Sequence, residues 1–420
     1  MRRWVAGTVA LATIAACNTR TAPTPGSFGQ PDSLAIRRDI EYLASPALAG
    51  RFTGSPGNDS AAAYIARRYA AMGVQSVSPG YLQRFEARPP AHNGQIVSLP
   101  TQNVLGVVRG TDPTLRNQYI VVGAHFDHLG DNTMFAADPR ASGLRLGADD
   151  NASGSAAVLE LARLIARTPT KRSVIFAHFS GEEEGTLGSM YMAEHMPVPI
   201  DSVDAMLNFD MVGRMKDDRL IVFGVATSPE LPGIVANANA TVHLNVTAQG
   251  DGDGPSDHAS FYLKNMPVLH FFTDTHEDYH KVGDTPDKIN AAGEARVVAL
   301  AERALRAIAD RPTRLTFVRV PSTAKASSSN NSNVYLGSIP DMAGSETPGM
   351  RLSGVSAGSP AEIGGLKTGD LIVVFDGKPV KDLYEYSDAL YSHKPGDEVD
   401  IVVLRDGQRI TLHVKLGRRG

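Results

Sequence analysis

From residue 119 onward the chain alternates short apolar runs with stretches of helical spacing. Tyr119–Ala124, Ser173–Phe179, Met206–Phe209 and Pro267–Phe272 are nearly continuous in apolar residues, and residues 153–167, between the first two, repeat with a helical period. Strands that are apolar on both faces and separated by helices predict an α/β fold, a mostly parallel (mixed) sheet sandwiched by helices. Upstream, residues 33–43 have helical spacing, with Leu34, Ile36, Ile40 and Leu43 expected in the core. A second helix is predicted over Asp59–Met72, after a loop marked by Gly50, Gly54, Pro56 and Gly57, with Gly73 as its stop. Residues 291–309 read as an Ala-rich helix packing through Val297, Val298, Leu300, Ala301 and Leu305.

The pattern then breaks. The Ser- and Asn-rich run through Asn333 cannot bury a core and reads as a linker. Beyond it come YLGSIP (335–340), GVSAGSPAEIGGLKTGDLIVVFDGKPV (354–380), a helix-like stretch at 384–392 and strands at 399–405 and 409–416, the last two joined by a hairpin turn at Asp406–Gly407. The expected division is a signal segment at 1–17, a tether at 18–32, a large domain at 33–310, a linker at 311–333 and a small β-rich domain at 334–420.

Composition changes this picture in three ways. A formal net charge of −4 carries no electrostatic footprint for a nucleic acid partner. Arg2 and Arg3 precede an apolar stretch from Trp4 to Ala16, too short to span a bilayer, which predicts a secretory signal. Its end, Ile14-Ala15-Ala16-Cys17, resembles the lipobox of bacterial lipoproteins; that implies export to the cell envelope, periplasm or outer membrane, with membrane contact only through a lipid anchor at Cys17. Cys17 is also the only cysteine, so any metal must be held by His, Asp and Glu.

Those residue types gather where the predicted strands end. His125 and Asp127 lie in GAHFDHLG (123–130), Asp149 and Asp150 in GADDNASG (147–154), Glu182, Glu183 and Glu184 in FSGEEEG (179–185), Asp210 in LNFDMVGR (207–214) and His280 in YHKVGDTPDKI (279–289). The fold brings these ends to one edge. So many carboxylates together require compensation by cations, and a His and carboxylate set without thiolate suits zinc, with manganese or cobalt able to substitute.

These blocks resemble the co-catalytic zinc aminopeptidase family, which also contains glutamate carboxypeptidases and glutaminyl cyclases, over about residues 33–310. The resemblance implies two zinc ions per chain: His125 and Asp210 on one, Glu183 and His280 on the other, and Asp150 bridging. It further implies that Glu182 is the general base, taking a proton from the attacking water and returning it to the leaving amine, and that Asp127 orients His125. A cis peptide between Asp150 and Asn151 belongs to the same pattern. SDHASF (256–261) matches another family block, with Asp257 and His258 lining or bracing the site, whereas His128, His178, His270 and His276 are expected in packing or loop roles.

The C-terminal segment resembles a bacterial PDZ domain, which implies that Leu336, Gly337, Ser338 and Ile339 form a loop able to hold a peptide C-terminus; the alternative is a structural cap that packs on the larger domain and binds nothing. The expected function is an exported aminopeptidase acting on peptides. Other activities of the family, carboxypeptidase, dipeptidase or glutaminyl cyclase, and an inactive peptide-binding envelope protein are the competing readings.

Overall fold

A computed structural model describes residue 1 and residues 29–89, 97–132, 135–138, 140–320, 334–340, 347–355, 358–381 and 383–418. The signal-like segment with Cys17, most of the tether and the Ser/Asn-rich run lie outside them. Among the described residues no helix is long and apolar enough to cross a membrane.

Helix α1 (Ser33–Leu43) starts where the Asp32 carboxylate accepts from the backbone N–H groups of Leu34 and Ala35. Ile36, Ile40 and Leu43 are buried, but Leu34, expected beside them, is 66% exposed. Helix α2 (Pro56–Met72) begins at Pro56 rather than Asp59, because Ser55 caps it and a proline in the first turn lacks only an N–H that would have no helical partner. Gly73, at φ 75°, ends it.

The elements that follow are β1 (Gln75–Ser76), β2 (Leu82–Ala87), β3 (Leu99–Val108), β4 (Tyr119–His125), α3 (Gly154–Arg167), β5 (Ser173–Phe179), α4 (Leu187–Glu194), β6 (Val203–Phe209), β7 (Arg219–Phe223), α5 (Leu231–Asn239), β8 (Asn245–Ala248), α6 (His258–Tyr262), β9 (Val268–Phe272) and α7 (Ala291–Ala309). Their strands form one mixed sheet in the order β1-β3-β5-β4-β6-β9-β7-β8, with β2 also on β3. The central run β5-β4-β6-β9 is parallel, while β3 and β7 join it antiparallel.

Every residue of β4, β5 and β6 is buried, and successive side chains alternate between two covered faces. Ile120, Val122, Val174 and Phe176 join the core formed with α1, α2, α3 and α7. Val121, Ile175, Ala177 and Phe179 pack instead with Met192 of α4 and Phe261 of α6. With both faces sealed, the open place on this sheet is the edge where the parallel strands end. Residues after α7 still run along the domain: Leu315 N–H donates to Asp204 at 2.9 Å and Val318 N–H to Thr227 O at 2.8 Å.

The C-terminal domain consists of β10 (Val334–Tyr335), β11 (Ser338–Pro340), β12 (Met350–Val355), α8 (Pro360–Ile363), β13 (Leu371–Phe375), β14 (Lys378–Pro379), α9 (Leu383–Tyr391), β15 (Glu398–Arg405), β16 (Gln408–Lys415) and β17 (Gly417–Arg418). Its main sheet is antiparallel, in the order β11-β12-β13-β15-β16, around a separate core that includes Leu336, Ile372, Phe375, Ile401 and Val403. Asp406 and Gly407 both have positive φ, 52° and 77°, as the two-residue turn between β15 and β16 requires.

Candidate metal centre

The carboxyl ends of β4, β5 and β6 point the same way, so His125 at the end of β4, the Glu182–Glu184 run after β5 and Asp210 after β6 share one edge. Asp149 and Asp150 reach it from the wide turn Ala148–Ser153 that feeds α3, and His280 from the segment after β9. Asp150 stands between two groups of donors. Its Oδ1 is 3.4 Å from His125 Nε2, which is also 3.4 Å from Asp210 Oδ1. Its Oδ2 is 3.1 Å from His280 Nε2, itself 3.1 Å from Glu183 Oε2. The three acids and two histidines expected around a metal pair are therefore brought together, with Asp150 facing both halves.

The donors also fit a cation chemically. His125 Nε2 and Asp210 Oδ1 are buried without a hydrogen-bond partner although they face one another, as does not happen between groups meant to satisfy each other. Ser256 Oγ occupies the other Asp210 oxygen at 2.8 Å. His280 Nδ1 donates to Phe135 O at 2.8 Å, which fixes the tautomer that leaves Nε2 a lone pair for a cation.

Glu182 and Glu183 are neighbours in sequence with opposite electrostatics. Burial pushes the Glu182 carboxyl well above its usual range; His125 opposes this and Asp210 and Asp257 add to it. Burial acts the same way on Glu183, but His280 and His128 outweigh it and hold that carboxyl well below its usual range. A basic carboxylate beside one that stays ionised is the division expected of a proton acceptor and a cation ligand. Glu182 Oε2 lies 3.8 Å from His125 Nε2. Glu184 turns away, accepting from Thr53 Oγ1 at 2.6 Å, and burial pushes its carboxyl to about 8.

Asp127 meets His125 differently from the expectation. His125 Nδ1 is 3.3 Å from the Asp127 backbone carbonyl and 3.8 Å from its carboxylate. The carboxylate instead accepts from the backbone N–H groups of Glu182 and Glu183, each at 3.3 Å, so one residue braces both the histidine and the glutamate turn.

His128, expected to be a packing residue, is part of the cluster: its Nδ1 is 2.6 Å from Glu183 Oε1 and 3.8 Å from Asp150 Oδ2. His128, Asp150 and Glu183 offer ligand atoms close enough to share an ion, as do His125, Asp150 and Asp210. His178 does lie in the core, paired with Tyr69 and Ser155 O. His276 faces Asp149 at 3.2 Å. His270 stacks on buried His258 with ring centroids 4.5 Å apart and forms part of the cleft wall.

Several supporting residues carried no signal in the sequence because their partners are distant. Asp284 accepts from the N–H groups of Asp149 and Asp150, each at 3.0 Å. Asn151 donates to Phe209 O at 2.9 Å and accepts from Met211 N–H at 3.2 Å, tying the Asp150 turn to the end of β6; the Asp150–Asn151 peptide is cis. Gly147 is irreplaceable at the start of this turn, since a Cβ would fall 2.0 Å from Asp150 O and 2.4 Å from His128 Cγ. The site opens into a cleft of about 250 Å³ whose apolar wall includes Met211, Phe223, Phe272 and Tyr279.

Residues 103–305 match peptidase family M28 and residues 330–416 match the PDZ domain. A relative from Pyrenophora tritici-repentis, described as a probable zinc metalloprotease, is 30% identical over 198 residues, covering 45% of this chain and 38% of its own. The chain spans 38 to 57% of the length of the first curated relatives it matches. Among solved structures, an aminopeptidase from Aneurinibacillus sp. strain AM-1 superposes with a TM-score of 0.54 at 18% identity, over 70% of this chain and 97% of that one. The glutaminyl cyclase of Bacteroides thetaiotaomicron gives the same TM-score and identity, over 67% and 99%. The fold is thus shared by enzymes of different reaction class, and the site must decide between them.

Proposed function

With residues 103–305 forming a peptidase family M28 domain and residues 330–416 a PDZ domain, we propose that this protein is a two-zinc aminopeptidase that removes N-terminal residues from peptides. The observation that carries the reading is Asp150, with one carboxylate oxygen toward His125 and the other toward His280. Zinc held by His125 and Asp210 on one side and by Glu183 and His280 on the other, with Asp150 reaching both, would make a bound water acidic and polarise the scissile carbonyl. The zinc metalloprotease description of a relative supports that choice of metal.

The chain's own residues supply the rest. Glu182 takes the proton of the attacking water and delivers it to the leaving amine, a task that suits a carboxylate made basic by burial. Asp127 keeps Glu182 and Glu183 in register through their backbone N–H groups. The free amine of the substrate is drawn to the acidic cluster, and Met211, Phe223 and Phe272 suit an apolar N-terminal side chain. The PDZ domain adds a site for a peptide C-terminus at Leu336–Ile339. Export, with a lipid anchor at Cys17, is supported by the Arg2–Arg3 and apolar pattern before that cysteine.

The test is hydrolysis of amino-acid nitroanilides beside their N-acetylated counterparts, with zinc and with chelator. Chelator-sensitive release from free-amine substrates only, strongest for apolar residues, is the expected result. Silence toward the panel combined with cyclisation of an N-terminal glutamine peptide would replace the reading with a cyclase.

A further inference from the structure

The outer strand of the PDZ sheet ends at the acidic cleft. β11 pairs with β12 on one side and is the last strand of its sheet among the described residues. Pro340 closes β11, and it is also a wall residue of the cleft that holds Asp150, Glu182 and Asp210. Thr275, which follows β9 in the other domain, donates its hydroxyl to Pro340 O at 2.7 Å. One residue therefore belongs to the PDZ edge strand and to the peptidase site at once.

The other end of β11 is held just as definitely. Gly337, immediately before it, has φ +85° and sits so close to α8 that a Cβ would fall 2.3 Å from Ser359 Cβ. Leu336 O accepts from Ala361 N–H at 2.8 Å, and Ser338 Oγ lies 2.5 Å from the Tyr386 hydroxyl of α9. The loop and the strand start are thus fixed against both helices of the domain.

Direction now follows from topology. An extended peptide adds to such an edge through main-chain hydrogen bonds, with its terminal carboxylate in the loop that precedes the strand. A peptide whose carboxylate lies beside residues 336–338 can leave only along β11, and its N-terminal end is then led past Pro340 into the cleft. We propose that the two domains hold the two ends of a single substrate: a short peptide with a free C-terminal carboxylate lies along β11 while its N-terminal residue occupies the acidic cleft. The proposal rests on the aminopeptidase reading and names the substrate class that reading leaves open. At about 3.3 Å per extended residue, β11 and the approach to the acids call for a peptide of roughly five to eight residues. Shorter peptides fail to reach the loop, and in longer ones the intervening chain must bulge, which weakens the linkage between the two ends. Peptides of this kind, with both termini free, are what an endopeptidase leaves behind.

The experiment uses the full chain and a series of peptides with the same N-terminal residue, from about two to twelve residues long, each as free acid and as C-terminal amide. The free acid is expected to exceed the amide in kcat/KM by about tenfold or more near the spanning length, through KM, with no difference for the shortest peptides. Gly337→Val is expected to erase that advantage; the acid and amide comparison on the unaltered protein stands even if that variant misfolds. Equal cleavage of acid and amide at every length, with nitroanilides still cleaved, would overturn the bridge alone. Loss of nitroanilide cleavage itself would overturn the aminopeptidase reading and the bridge with it. In that case, binding of an N-acetylated hexapeptide as acid and as amide, read by fluorescence anisotropy, decides whether the β11 edge retains any preference for a carboxylate.

Discussion

The two domains place their proposed chemistry in opposite kinds of structure. In the peptidase domain it sits on buried titratable side chains where fully covered parallel strands end, and the backbone there is already paired. In the PDZ domain it sits on the backbone of an edge strand, beside a glycine that tolerates no Cβ. A site made of side chains can be silenced by changing one atom while the fold stands. A site made of backbone is altered chiefly through the stability and shape of the domain that carries it.

The sharpest break of this comparison is Glu182→Gln, which replaces one oxygen of the proposed base with an amide and keeps its size. Turnover is expected to fall by about 10²–10⁴-fold. Zinc content by elemental analysis and the thermal transitions of both domains are expected to stay as they were, because Glu182 is not among the proposed ligands. Turnover close to that of the unaltered protein would remove Glu182 from its assigned role.

The next effect separates the domains by pH. His178, in β5, is buried between Tyr69 OH, 2.9 Å from its Nδ1, and Ser155 O, 3.1 Å from its Nε2. The neutral ring satisfies both contacts, with Nε2–H donating to Ser155 O. Burial holds its pKa at about 4, against an ordinary value of 6.5. Between those values the unfolded chain binds a proton that the folded chain refuses, so stability rises with pH and is lost on acidification from about 6.5 to 4, by about 3 kcal/mol. In calorimetry of the full chain the peptidase transition should move down in that window, and His178→Gln should flatten its slope by about one proton. Identical slopes for both proteins would show that His178 contributes nothing to acid sensitivity.

What the sequence made legible divides along physical lines. The runs at Tyr119, Ser173, Met206 and Pro267 correspond to β4, β5, β6 and β9 with shifts only at their ends, because burial on both faces leaves an unbroken apolar signature. β3 carries no such signature: Thr101, Gln102 and Asn103 are polar yet buried, and their partners Asn58, Ser180 and Gln83 come from elsewhere in the chain. The site shows the same division. The acids and histidines at the strand ends stood out because several blocks of the right residue types converge on one edge. His128 did not, since its partner Glu183 is distant in sequence and a histidine in a loop has no periodicity to betray it. Asp284 was likewise silent, and Asn151 was marked only through the cis peptide that precedes it, as their task is to bind backbone groups of segments that only the fold brings near.

The smallest expected effect is on the PDZ side. Arg405, the last residue of β15, grips the buried Asp370 carboxylate with two bonds of 2.7 Å and reaches Gly365 O at 2.8 Å, joining the turn before β13 to the far hairpin. Its side chain is 22% exposed, so the pair is neither a screened surface bridge nor a fully buried one. In Arg405→Ala, Asp370 retains the Lys367 N–H at 2.9 Å but loses its countercharge. The cost should be about 2 kcal/mol, between the values for those two limits. For a domain of this size that lowers the melting point by about 8–16 °C. The peptidase transition and nitroanilide hydrolysis should not change, whereas the preference for free-acid peptides should keep its size at low temperature and disappear at a lower temperature than in the unaltered protein. If both transitions fell together, the two domains would be one cooperative unit, and the contrast between a side-chain site and a backbone site could no longer be read from their separate stabilities.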